Sequence, residues 1–252
     1  MRTGSQRSGL RLVAVFAAWL LFGAASQIVP TFASGATPSP VEAVRRAFPA
    51  VATKLDRRAA LEAATWHDRD RTIEGFLVRS RPDDSAELGL AAPASSGTRD
   101  TVRVLLPVLA SDPLVAEGEG VRVTRRPLRA AATRAQDDDG RLVYEEAWPS
   151  TEVLQAAGPE WTEEFFYLRA PSAPREFAYE VEAVGAAMVA IEDGDVRFLD
   201  STGRGLVLTR PFVVDAAGRR SATAARWALD PEDQRGARRL TLHLDPRGSI
   251  RC

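Results

Sequence analysis

Apolar and polar side chains alternate along much of this chain, and aspartate-to-glycine reversals punctuate the alternation. Val102, Val104 and Leu106 alternate with Arg103 and Leu105, and Val121 and Val123 flank Arg122. Phe177, Tyr179 and Val181 alternate with Ala178 and Glu180, as Leu240, Leu242 and Leu244 do with Thr241 and His243. A period of two sends successive side chains to opposite faces of an extended strand, so each run buries one face and leaves the other wet. The runs close at Asp200 to Gly203, Asp215 to Gly218 and Asp245 to Gly248. Aspartate at the first turn position caps the backbone, and glycine at the fourth accepts a positive φ. Pro246 supplies the fixed φ favoured at a second turn position. Asp137-Asp138-Asp139-Gly140 and Asp193-Gly194 are two further hairpin tips. The expected fold is therefore mainly β: antiparallel, sandwich-like meanders in which Gly203, Gly218 and Gly248 are the turn positions most sensitive to substitution.

The 252 residues divide into four expected segments. In residues 1–35, Arg2, Arg7 and Arg11 precede an apolar run from Leu12 to Ala25, which reads as a signal peptide for the general secretory route. The run is shorter than the ~20 residues a membrane-spanning helix requires, so membrane contact is expected to be transient. Small residues fit cleavage after Ser26, Ala33 or Gly35. Residues 36–68 form an expected helical lead-in. Ser39-Pro40-Val41-Glu42 has the capping-box arrangement, Val41, Val44 and Phe48 share a helical face, and the alanine-rich stretch from Ala50 to about Ala64 can resume the helix after Pro49. Residues 69–142 and 143–252 are a first and a second β-rich segment. Pro82 to Asp100 and Ser111 to Glu119 are expected to be loops.

Charge and motif content narrow the function. The 33 basic and 34 acidic residues leave a net charge of −1, and the arginines are scattered, so no field gathers nucleic acid or anionic lipid. Cys252 is the only cysteine, which excludes an internal disulfide and a cysteine-rich zinc site. The two histidines, His67 and His243, are far apart and have no Gly-x-Ser-x-Gly elbow or His-Glu-x-x-His helix to complete them. His243 is expected on a wet strand face and His67 in a polar connector. The Asp137-Asp138-Asp139 run lacks the alternating ligands of a calcium loop. Glu145-Glu146 and Glu163-Glu164 are adjacent, so in strands their carboxylates point to opposite faces and make poor acid/base pairs. No phosphate loop or dinucleotide fingerprint occurs. No catalytic residue, cofactor site or metal site is therefore expected, and a secreted hydrolase would need a convergent polar pocket that the linear pattern does not reveal.

Trp148, Trp161, Phe165, Phe166 and Tyr167 form the densest aromatic zone. Packed rings would build a core, whereas exposed Trp148, Trp161 or Tyr167 could bind a glycan or a protein partner at the cell surface.

Four phrases in this region carry a family resemblance. They are Tyr144-Glu-Glu-Ala-Trp-Pro-Ser-Thr-Glu-Val-Leu, Glu163-Glu-Phe-Phe-Tyr-Leu-Arg-Ala-Pro-Ser-Ala-Pro-Arg-Glu-Phe-Ala-Tyr-Glu-Val, Val196-Arg-Phe-Leu-Asp-Ser-Thr-Gly-Arg and Arg210-Pro-Phe-Val-Val-Asp-Ala-Ala-Gly-Arg-Arg. The segment from about Trp148 to Leu244 resembles a β-rich module near the N-termini of exported bacterial repeat proteins, of the rearrangement-hotspot/YD-repeat and myxobacterial surface-protein type. In such modules a strand ending in Tyr-Pro and an Asp-Pro close come next, whereas this sequence runs to Ile250-Arg251-Cys252. The resemblance thus implies either a shortened frame or a stand-alone version. It also implies scaffold or surface display and brings no catalytic residues with it. The expectation is an exported, non-catalytic structural or interaction module.

Overall fold

The computed structural model describes residues 10–12, 40–47, 60–68, 71–79, 102–138, 140–158, 161–214 and 219–245. Its elements in chain order are β1 (Leu10–Leu12), α1 (Pro40–Ala47), β2 (Ala60–Asp68), β3 (Arg71–Arg79), β4 (Arg103–Pro107), β5 (Leu114–Gly118) and β6 (Val121–Pro127). They continue as β7 (Gln136–Asp137), β8 (Leu142–Trp148), β9 (Thr151–Gly158), β10 (Trp161–Leu168), β11 (Glu176–Val184), β12 (Met188–Glu192) and β13 (Asp195–Leu199). The last are β14 (Gly205–Leu208), β15 (Val213–Val214), β16 (Arg220–Ser221), β17 (Ala225–Leu229) and β18 (Ala237–Leu244).

The expected β class holds. Among the described residues one eight-stranded sheet runs β12-β13-β14-β1-β10-β9-β8-β7, and a second runs β17-β18-β11-β6-β5-β4-β3-β2. Pairing is antiparallel except at β1, which lies parallel to both β10 and β14. The inner faces meet in one core. Leu142, Tyr144, Val153 and Phe166 of the first sheet join Val104, Leu106, Phe177, Tyr179, Leu240 and Leu242 of the second. At its centre Trp148 lies edge-on to Phe177 at 5.1 Å between ring centroids, and Phe166 sits 4.5 Å from Phe177.

The outer faces differ. On the second sheet, β6, β11 and β18 turn charged side chains outward, with Arg126 facing Glu180 and His243 facing Glu176. On the first sheet, Val143, Leu154, Ala156 and Phe165 pack with Val41 and Val44 of α1 and with Phe212 and Val214. This cover explains β9, whose eight residues are all buried. A strand sealed on both sides carries no alternation.

Three expectations change. The stretch Ala60–Asp68 is strand, not the end of a helical lead-in, because it pairs over its whole length with β3; that cross-strand pairing outweighs the helix preference of its alanines. Leu114–Gly118, expected within a loop, is β5. Its Leu114 and Ala116 face the main core while Val115 is buried with Ile73 and Leu105 on the opposite face, so again two apolar faces hide the alternation. Finally, the boundary at residues 142 and 143 falls inside β8. The chain passes from the second sheet (β2 to β6) to the first (β7 to β10), back for β11, over for β12 to β14, and back for β17 and β18. Neither β-rich segment owns a sheet, and the two together build one sandwich.

The turn chemistry holds where it can be seen. At Asp200 to Gly203 the aspartate Oδ1 accepts hydrogen bonds from Thr202 N at 2.8 Å and Arg204 N at 2.9 Å, and Gly203 has φ +80°. At the other tips, Gly140 N donates to Asp137 Oδ1 at 2.8 Å, and Asp193 and Gly194 both have positive φ. The same pattern recurs at Asp233 to Gly236, which the sequence reading passed over: Asp233 Oδ1 accepts from Arg235 N and Ala237 N, and Gly236 has φ +81°. Asp215 to Gly218, Gly248, the segment 80–101, and the export run beyond Leu12 with its three cleavage positions lie outside the described residues.

Candidate functional site

A buried ion pair and its hydrogen-bonding partners meet between the sheets at Glu164. Its strand β10 sends even-numbered residues inward, so Glu164 points across the sandwich while Glu163 faces the other way. Directly opposite on β9, Gln155 donates from Nε2 to Glu164 Oε1 at 3.1 Å. From the second sheet, Arg125 of β6 brings Nη2 to 2.8 Å from Glu164 Oε2, and Tyr179 of β11 donates its hydroxyl to the same oxygen at 3.1 Å. Arg125 and Glu164 are 2% and 3% exposed by side chain, so water does not screen the pair. The Arg125 guanidinium also lies 4.5 Å from the centre of the Tyr179 ring, a cation–π contact.

A second hydroxyl crosses between the sheets nearby, where Tyr144 of β8 donates to the Pro107 carbonyl of β4 at 2.6 Å. Burial, and then Glu164, hold both the Tyr179 and Tyr144 hydroxyls well above the ordinary tyrosine range. Both stay protonated as donors. Beside them is a cavity bordered by Asp112, Arg125, Tyr144, Gln155 and Glu164, with room for about one water molecule. Burial, reinforced by Glu74, raises the pKa of Asp112. Arg125 Nε and Nη1 and Gln155 Oε1 have no hydrogen-bonding partner among the described residues. The cavity is too small for an organic substrate. The Glu164 carboxylate accepts from three protein donors on two sheets, which suits it to joining the sheets rather than to taking a proton from a ligand.

The aromatic candidates separate. Trp148 is 5% exposed in the central core, so its ring cannot stack on a glycan. Trp161 and Tyr167 are half-buried on the outer face of the first sheet, at opposite ends of β10 and roughly 20 Å apart along the strand. Between them Phe165 is buried in the α1-covered cluster. Trp161 lies over Gly158, its cross-strand partner, where a Cβ would collide with the indole nitrogen.

The histidines are surface residues on strands. His67, expected in a connector, is on β2, where its Nδ1 lies 3.4 Å from the hydroxyl of its cross-strand partner Thr72. His243 Nδ1 is 3.1 Å from Glu176 Oε1 on the outer face of the second sheet. Near β8, Arg169 bridges Glu146 and Glu152, at 3.2 Å from the latter. The sequence reading missed Arg125, Gln155 and Tyr179 as a group; the only local trace is a charged residue in phase with the buried positions of its strand, Arg125 after Val121 and Val123.

No protein-family model, curated protein or solved structure matches this chain.

Proposed function

We propose that this chain is a non-catalytic, exported structural or interaction module, of the kind borne near the N-termini of bacterial cell-surface repeat proteins. The observation that carries the reading is the cross-sheet linkage at Glu164, where Arg125, Tyr179 and Gln155 all bind one buried carboxylate. Arg125, Tyr179 and Glu164, which could have supplied electrophile, acid or base, are engaged in fixing one sheet against the other. A scaffold requires that rigidity, and its outer surfaces are then left for a protein or glycan partner. The basic N-terminal arginines and the apolar run after Leu12 support delivery by the general secretory route.

Two measurements test the reading. N-terminal sequencing of the chain expressed in a bacterial host should find a mature start after Ser26, Ala33 or Gly35 in an extracytoplasmic fraction, a cut that would also take β1 from between β14 and β10; an uncut cytoplasmic chain would contradict export. Replacing Arg125 and Glu164 together by Met and Leu should leave a folded module that still reaches the same fraction and, once a partner is known, still binds it. Loss of partner binding by a folded double variant would return the cluster to the status of an active or binding site. A glycan reading would rest on Trp161 and Tyr167 alone, and alanine replacement of both should abolish retention on a polysaccharide column if that reading holds.

A further inference from the structure

The two large sheets have four lateral edges among the described residues, and three are protected. β7 is only two residues long. β2 carries Glu62 and His67 exposed, and β17 carries Arg226 exposed at its second position. Charged side chains and short strands are the usual defences of a sheet edge against another chain. β12 has neither over its first four residues, Met188-Val189-Ala190-Ile191. Two of the three exposed large apolar residues in the described structure, Met188 at 37% and Ile191 at 38%, lie on it. Its one charge, Glu192, is 3.1 Å from Arg197 of the neighbouring strand.

The β12–β13 hairpin fixes which backbone groups face outward. Asp193 and Gly194, both at positive φ, form a two-residue turn, and Glu192 pairs with Asp195 across it. In such a hairpin the pair flanking the turn is hydrogen-bonded, and bonded pairs then recur at every second residue. Ala190, opposite Arg197, therefore directs its N–H and C=O toward β13. Val189 and Ile191 direct theirs toward the open edge.

We propose that β12 is a self-association edge, where two copies of this chain pair their β12 strands antiparallel about a twofold axis through Ala190. In that register Val189 of each copy meets Ile191 of the other, and both exchange N–H and C=O bonds. Met188 meets Glu192, so no like charges oppose each other. Ala190 faces Ala190 in a non-hydrogen-bonded pair, the closer of the two antiparallel spacings. The two copies would join their sheets into one continuous surface and bury Ile191. A five-residue edge is small beside a standard interface, so the association is weak and concentration-dependent. The inference does not depend on the export reading.

The test is oxidative cross-linking of the full chain in a Cys252→Ser background. Across a non-hydrogen-bonded pair the two Cα atoms are ~4.5 Å apart, within reach of a disulfide, whereas Met188 of one copy would be roughly 13 Å from Met188 of the other. Ala190→Cys should therefore form a linked dimer at least roughly tenfold faster than Met188→Cys. Analytical ultracentrifugation should show a monomer–dimer equilibrium for the unmodified chain. Ile191→Pro, which deletes an outward N–H, should be monomeric with an unchanged far-ultraviolet spectrum. Equal cross-linking rates at the two positions, or a monomer at every concentration up to about 1 mM, would overturn the proposal. If Ile191→Pro fails to fold, the comparison of the two cysteine variants still decides.

Discussion

Arg125 and Glu164 come from different sheets, and each leaves the other's charge stranded in the core if removed. Breaking such a pair by deleting one partner costs about 3–5 kcal/mol, whereas replacing both by apolar groups of similar size is often neutral. Arg125→Met alone should lower the urea-unfolding free energy by about that amount, and adding Glu164→Leu should restore most of it. A different charge effect operates at the surface. Thr202 and Arg204 lower the pKa of Asp200 through the hydrogen bonds they donate, and the backbone of Ala237 and Arg235 does the same for Asp233. A carboxylate whose folded pKa is depressed stabilises fully above its unfolded value of about 3.9 and loses that stabilisation as pH falls through the lower folded value. The melting temperature should therefore decline below about pH 4, and the double variant Asp200→Asn, Asp233→Asn, which keeps the accepting oxygens but cannot titrate, should decline less steeply.

The β13–β14 turn holds two glycines that differ in kind. Gly203 has φ +80° but open space around a Cβ, so alanine there should cost about 1 kcal/mol of backbone strain. Gly205 has φ +148°, and a Cβ there would run into the Phe198 carbonyl oxygen. Gly205→Ala should lower the melting temperature by clearly more than Gly203→Ala, and equal losses would reject this account of the turn. The first of these glycines was legible in the sequence because Asp200 announces it. The second was not, since its constraint comes from a strand paired across the turn. The same distinction runs through the fold. Strands with one wet face, such as β6, β11 and β18, declared themselves by alternation, but β5 and β9, apolar on both faces, did not. The alanines of β2 read as helix because only their pairing with β3 makes them strand. What α1 covers on the first sheet is likewise a tertiary fact, with no local signal in the sequence. Glu164 escaped for the same reason. Its neighbour in sequence faces away from it, while its partners are on β6, β9 and β11.

Over the whole molecule, the chain visits the second sheet three times and the first twice between β2 and β18, so no cut in the sequence separates one sheet from the other. Tyr144, Phe166, Phe177 and Leu242 share a single core, and the Glu164 linkage closes it. A sandwich built this way should open as a unit, because losing any one sheet exposes the apolar face and buried charge of the other. Native-state hydrogen exchange tests that claim most directly. The amides of β6, β9, β10 and β11 should converge on one opening free energy with one denaturant dependence. A stable partial opening in which β4 to β6 exchange while β8 to β10 stay protected would contradict it.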